Sequence, residues 1–146
     1  MSTAVIVSIA DAVVSVLNAA TLSQTFTAVR KYTVKHDLKD LDDLQVSVVP
    51  QAKIGRMADR GGKQDEEYRV DVGVQQRADT SSNTASDALM LLTQEVADTF
   101  LTGERLVGYT TAMCMQATNE PIYDPAGLRD KRTFTSVVTL IFRVFR

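Results

Sequence analysis

The clearest pattern in the chain runs from Thr133 to Arg146, where Thr-Phe-Thr-Ser-Val-Val-Thr-Leu-Ile-Phe-Arg-Val-Phe-Arg is β-branched or aromatic at most positions and holds no Gly or Pro. That composition predicts a strand. Phe134, Val138, Leu140, Phe142 and Val144 fall on one face. Val137, Ile141 and Phe145 share the other with Thr133, Thr135, Thr139 and Arg143. One face is therefore expected to be core and the other partly covered, by a helix or by another subunit. A second alternation, over Glu67 to Gln75, sends Tyr68, Val70, Val72 and Val74 inward and Glu67, Arg69, Asp71 and Gln75 outward.

Helical spacing appears twice. Between Thr3 and Ala20, Val5, Ile6, Ile9, Val13, Val16, Leu17 and Ala20 form one stripe. Thr84 and Asp87 mark a helix start; Leu89, Leu92, Val96 and Phe100 then recur at three and four residues, and Gly103 supplies a stop. Thr25 to Val34 alternates as a first strand, and Gln45 to Val49 as a second, which Pro50 is expected to end. Asp37 to Asp43 is predicted as a turn anchored by Leu38 and Leu41. Ile54 to Glu67 reads as a long exposed loop or hairpin extension with Gly61-Gly62 at its tip. Thr110 to Gln116 is predicted extended and mainly buried, and Asn119 to Arg132, with Pro121, Pro125 and Gly127, as irregular. The expected order is α, two strands, a long loop, a strand, α and two strands.

At 146 residues the chain fits a single domain spanning 1–146, with the extension at about 54–67. A formal net charge of -2, with both signs scattered, argues against sequence-specific nucleic-acid binding. Cys114 is the only cysteine; among Ala112, Met113 and Met115 it reads as a buried structural thiol suited to a reducing cytoplasm. The apolar run Ala4 to Ala10 has no basic flank and is interrupted by Asp11, so neither an export signal nor a membrane span is expected.

Candidate chemistry is sparse. His36 is the only histidine, and a Cys-His dyad would need it to meet Cys114 across the fold. Asp40, Asp42 and Asp43 lack the spacing of a calcium loop and read as a solvated turn. Gly61-Gly62-Lys63 lacks the first Gly and the Ser or Thr of a phosphate loop. No catalytic residue, metal or cofactor is expected. In the 54–67 segment Arg56, Arg60 and Lys63 are balanced by Asp59, Asp65 and Glu66, which suits a polar contact arm. With Arg143, Phe145 and Arg146 of the final strand, the three basic residues are the candidate interface.

The N-terminal amphipathic helix, Phe26-Thr-Ala-Val-Arg-Lys-Tyr, Gln45-Val-Ser-Val-Val-Pro50, the strand Tyr68 to Gln75, the helix Ala85 to Leu101, Pro121-Ile-Tyr-Asp-Pro125 and the strand Phe134 to Arg146 together resemble the tail terminator, or tail completion, proteins of tailed phages. The resemblance lies in element order and texture across most of the chain. It implies an α/β (α+β) subunit, a mixed, mostly antiparallel sheet with two main helices packed on one face. It further implies a non-enzymatic structural protein of the virion tail or neck, assembled in the host cytoplasm as a homo-oligomeric ring that is typically hexameric. Its implied partners are the tail tube protein and the head-tail connector or stopper, with no membrane. Within virion proteins the resemblance leaves a head-completion or stopper protein as the alternative; from other classes, the alternatives are a small cytosolic enzyme using Cys114 and a ligand-binding α/β module.

Overall fold

A computed structural model describes residues 3–33, 42–78, 81, 83–119 and 123–146. The elements are α1 (Val5–Ala19), β1 (Ala28–Arg30), β2 (Gln45–Met57), β3 (Gln64–Arg77), α2 (Thr84–Phe100), β4 (Ala112–Thr118), α3 (Pro125–Lys131) and β5 (Thr133–Phe145). The five strands form one sheet in the order β1-β2-β3-β5-β4. Only the β1–β2 pair is parallel, so the fold is α+β with a mixed, mostly antiparallel sheet.

Alternation sets the register. Val46, Val48, Val70, Val72, Val138 and Leu140 lie on one face, fully or almost fully buried. Ile9, Val13 and Leu17 of α1, and Val96 and Phe100 of α2, complete the same core. Both main helices thus pack on one face, α1 over β1 to β3 and α2 over β4 and β5. The rings of Phe100 and Phe142 meet edge to face at 6.3 Å, the arrangement that aromatic quadrupoles favour. A contiguous smaller cluster gathers Val74, Leu89, Leu92 and Phe134 at the other end of the sheet.

Polar side chains fasten the joints. Asn18, near the end of α1, accepts from the Ala28 amide at 2.7 Å and donates to the Ala28 carbonyl at 3.2 Å, so a side chain takes the place of a neighbouring strand at the start of β1. The Asp11–Arg30 salt bridge, at 2.7 Å, holds the other end of that strand to α1. Glu95 of α2 accepts from the Ser23 amide through both oxygens.

Several expectations need correction. The first strand spans only Ala28 to Arg30, because Phe26 reaches the core from irregular backbone. Pro50 does not end β2; the register shifts between Pro50 and Ala52, and a bulge is where a strand tolerates proline. Of the two readings of 54–67, the hairpin extension is the one observed: residues 54–57 and 64–67 are paired strands, which leaves 58–63 as the turn. Pro125 starts the seven-residue α3, since a proline at the first helical position gives up an amide that would be unpaired anyway. In β4, Ala112 and Cys114 are buried while Met115 and Gln116 are exposed, so the strand is less covered than predicted. Residues 37–41 of the turn predicted over 37–43, together with His36, Pro121 and Ile122, lie outside the described residues.

Candidate functional surface

The β2–β3 hairpin and the end of β5 build one end of the sheet. Gln64 and Arg146 exchange backbone hydrogen bonds, which carries the β3–β5 ladder one residue beyond the Asp65–Phe145 pair. The Asp59 carboxylate closes the turn by accepting from the amides of Gly61, at 2.8 Å, and Lys63, at 3.2 Å. Gly62 sits at φ 88°, a left-handed conformation that side chains resist.

The six residues singled out from the sequence all lie at this end. Arg56, Arg60 and Lys63 are exposed on the hairpin. Lys63 Nζ lies 5.6 Å from the ring centroid of Phe145, itself half exposed. Arg143 grips Asp65 in a two-pronged ion pair, both contacts 2.8 Å, and this guanidinium holds the Asp65 carboxyl below the usual carboxylate range. Arg146 pairs with Glu66. Arg143 and Arg146 therefore have their charges engaged within the subunit, whereas Arg60 forms no ion pair among the described residues.

Glu66 is the residue the sequence reading missed. Its side chain is wholly buried, yet it meets Arg146, Lys53 at 2.9 Å and the Tyr68 hydroxyl, which donates at 2.8 Å. Hydrogen bonding from Arg146, helped by Lys53 and Tyr68, outweighs the burial penalty and brings its pKa down to about 2. Two cations and a phenol around one carboxylate bind β2, β3 and the stretch after β5 together. The signal was present: Glu66 stands two residues before Tyr68 and so continues its inward face.

The second surface is the sheet face opposite the helices. Ile54, Met113, Ile141 and Phe145 point to it, with Thr139 donating to Asp71 at 2.8 Å and Gln75 donating to Thr135 at 3.0 Å between them. No helix among the described residues packs there. Met113, Met115, Arg143 and Phe145 line a shallow depression on this face beside the β4 edge. Ile54, Met115 and Phe145 are 48%, 52% and 50% exposed.

Among the described residues no reactive groups are gathered in a comparable way. Cys114 is buried on the inner face, and burial pushes its thiol up, which keeps it protonated near neutral pH. It lines, with Val16, Phe100 and Leu106, a pocket of about 100 Å³. Among the described residues no cluster of His, Cys, Asp and Glu could hold a metal, and no helix is long and apolar enough to cross a membrane.

No protein-family model and no curated protein matches the chain. Among solved structures it is similar to the sheath/tube terminator of an extracellular contractile injection system, PVC, seen by cryo-electron microscopy in the extended state. The likeness has a TM-score of 0.47 with 12% identity, and takes in 100% of this chain and 58% of the other, so the chain spans a little over half the length of that terminator. The likeness is one of outline and says nothing of which surfaces are used.

Proposed function

We propose that this chain is a structural subunit of a phage-like tail, a terminator that closes into a homo-oligomeric ring, caps the tail tube and joins it to the head-tail connector. The observation that carries the reading is the uncovered sheet face, where Ile54, Met115 and Phe145 stand half exposed beside the β4 edge. Apolar groups on the open side of a sheet are stabilised when a neighbour excludes water from them. Different patches on neighbouring copies make heterologous contacts, and those close into rings when the rotation is right. In this reading the subunit works by shape, not catalysis, its ring is a hexamer, and it belongs to the tail or neck of a virion assembled in the host cytoplasm. Arg56, Arg60, Lys63, Arg143, Phe145 and Arg146 are its contact end.

Light scattering on the concentrated protein, alone and with purified tail tubes, tests the reading. Rings, or protein retained on tube ends, are expected. A strict monomer that leaves tubes untouched would overturn it. Deletion of the gene separates the roles: overlong or unjoined tails mark a terminator, whereas heads that leak DNA would replace this reading with a stopper.

A further inference from the structure

One face of α2 is unpartnered and unusual in composition. The helix carries three acidic residues and no basic one. Glu95 is spent inside the subunit on the Ser23 amide, but Asp87 and Asp98 form no ion pair among the described residues. They share an outward stripe with Leu91, 50% exposed, and Leu101, 51% exposed just past the helix end. Spacings of four, seven and three residues put all four on one side.

The hairpin tip has the complementary chemistry. Arg56, Arg60 and Lys63 stand on the same exposed hairpin as Met57, which is 80% exposed, and the lone acid of the turn, Asp59, is folded back onto the Gly61 and Lys63 amides. At the tip Arg56, Arg60 and Lys63 outnumber Asp59, so the patch is net positive beside the exposed Met57, whereas the α2 stripe is net negative beside Leu91 and Leu101. The tip extends the sheet at the end where Glu66 and Arg146 pair, while the α2 stripe faces away from the sheet, so one subunit does not join them to each other.

We propose that the outward face of α2 is the docking surface for the β2–β3 hairpin tip of a second copy of this chain. Opposite charges steer and register the two patches, while Met57 packs against Leu91 and Leu101. Because tip and helix are different surfaces, the contact is head to tail and leaves one free tip and one free helix face at every stage until a ring closes. The proposal rests on the ring reading and adds one contact between copies to the sheet face already named.

Charge exchange tests it. In Arg60→Glu/Lys63→Glu, and separately in Asp87→Lys/Asp98→Lys, the concentration needed for assembly should rise about tenfold or more, and the four changes combined should restore it to near the wild-type value. Arg60→Cys mixed with Asp98→Cys keeps the test independent of the reversals, and should give a disulfide-linked dimer from the mixture that neither variant gives alone. If the wild type assembles but the reversals leave its assembly unchanged, or only Arg60→Cys homodimers form, the docking proposal falls and the ring reading stands. If the wild type neither assembles nor binds tubes, both fall together.

Discussion

Arg146 grips the buried carboxylate of Glu66 across a sequence separation of 80 residues, joining the stretch after β5 to the middle strand of the sheet. The carboxylate is wholly buried, while the Arg146 side chain is nearly half exposed. The two partners are therefore unequal: loss of the guanidinium leaves a buried charge short of a partner. Arg146→Ala should destabilise the fold by about 1–3 kcal/mol, because Lys53 and Tyr68 still satisfy part of Glu66. Arg146→Lys should cost less. Urea unfolding midpoints at neutral pH compare the two, and equal midpoints for Arg146→Ala and the wild type would refute the assignment.

The same carboxylate sets an acid limit. Its folded pKa lies at about 2, below the ordinary 4.5, so its contribution is fully present above about pH 4.5 and is lost as pH falls toward 2. That difference corresponds to about 3 kcal/mol. The stability gap between wild type and Glu66→Gln, measured by urea unfolding at pH 7, 5 and 3, should narrow across the two lower values. A constant gap would mean that Glu66 titrates normally. Asp65, depressed by Arg143, adds in the same direction.

The framework was legible where one period held over many residues. Tyr68, Val70, Val72 and Val74 alternate, Leu89 to Phe100 recur at helical spacing, and β5 does so over its whole length, because one face of each meets a single continuous core. Prediction was less decisive where polar residues form regular structure without apolar periodicity. Residues 54–57 and 64–67 left loop and hairpin extension both open because they carry no apolar alternation; their backbone groups are satisfied by cross-strand pairing, and ion pairs such as Arg143–Asp65 hold the charges. Residues 119–132 read as irregular from their prolines and glycine, yet Pro125 is the first residue of α3. The candidate interface residues were chosen from charge and exposure, and the structure gathers them at one end. What the sequence concealed was that Arg143 and Arg146 are engaged within the subunit, since their partners lie 78 and 80 residues away.

Gly62 offers a test of backbone conformation alone. At φ 88° it lies in the left-handed region, and a Cβ placed there meets nothing within 4 Å. Gly62→Ala should therefore cost about 1–2 kcal/mol through backbone strain, with no steric displacement of the hairpin. Thermal unfolding supplies the measurement, and an unchanged midpoint would show that the turn relaxes freely.

Cys114 should behave as a packing residue. Only 5% exposed, it donates to the Gln116 carbonyl at 3.5 Å, and burial raises its pKa. A thiol reagent at pH 7.5 should label it only as fast as the protein opens, and rapidly once denatured. Cys114→Ser should leave assembly and tube binding unchanged after allowance for stability. Fast labelling of the native protein would instead reopen the case for a reactive thiol.

The uncovered sheet face separates assembly from folding. Phe142 and Val144 are buried on the inner face, and substituting them would collapse the core without informing about contacts between copies. Phe145 and Met115 are half exposed on the other face, so Phe145→Ser and Met115→Ser remove apolar surface that the isolated subunit already leaves in water. Such exposed changes usually alter stability by no more than about 0.5 kcal/mol. If this face is covered by a neighbour or by the tube, each serine should weaken association by about 1–2 kcal/mol, roughly the transfer free energy of the lost side chain. Thermal unfolding and light scattering on the same samples make the comparison. Near-wild-type melting with a clear loss of rings or tube binding is expected, while intact assembly in the double variant would show that this face remains in water and that the contacts lie elsewhere.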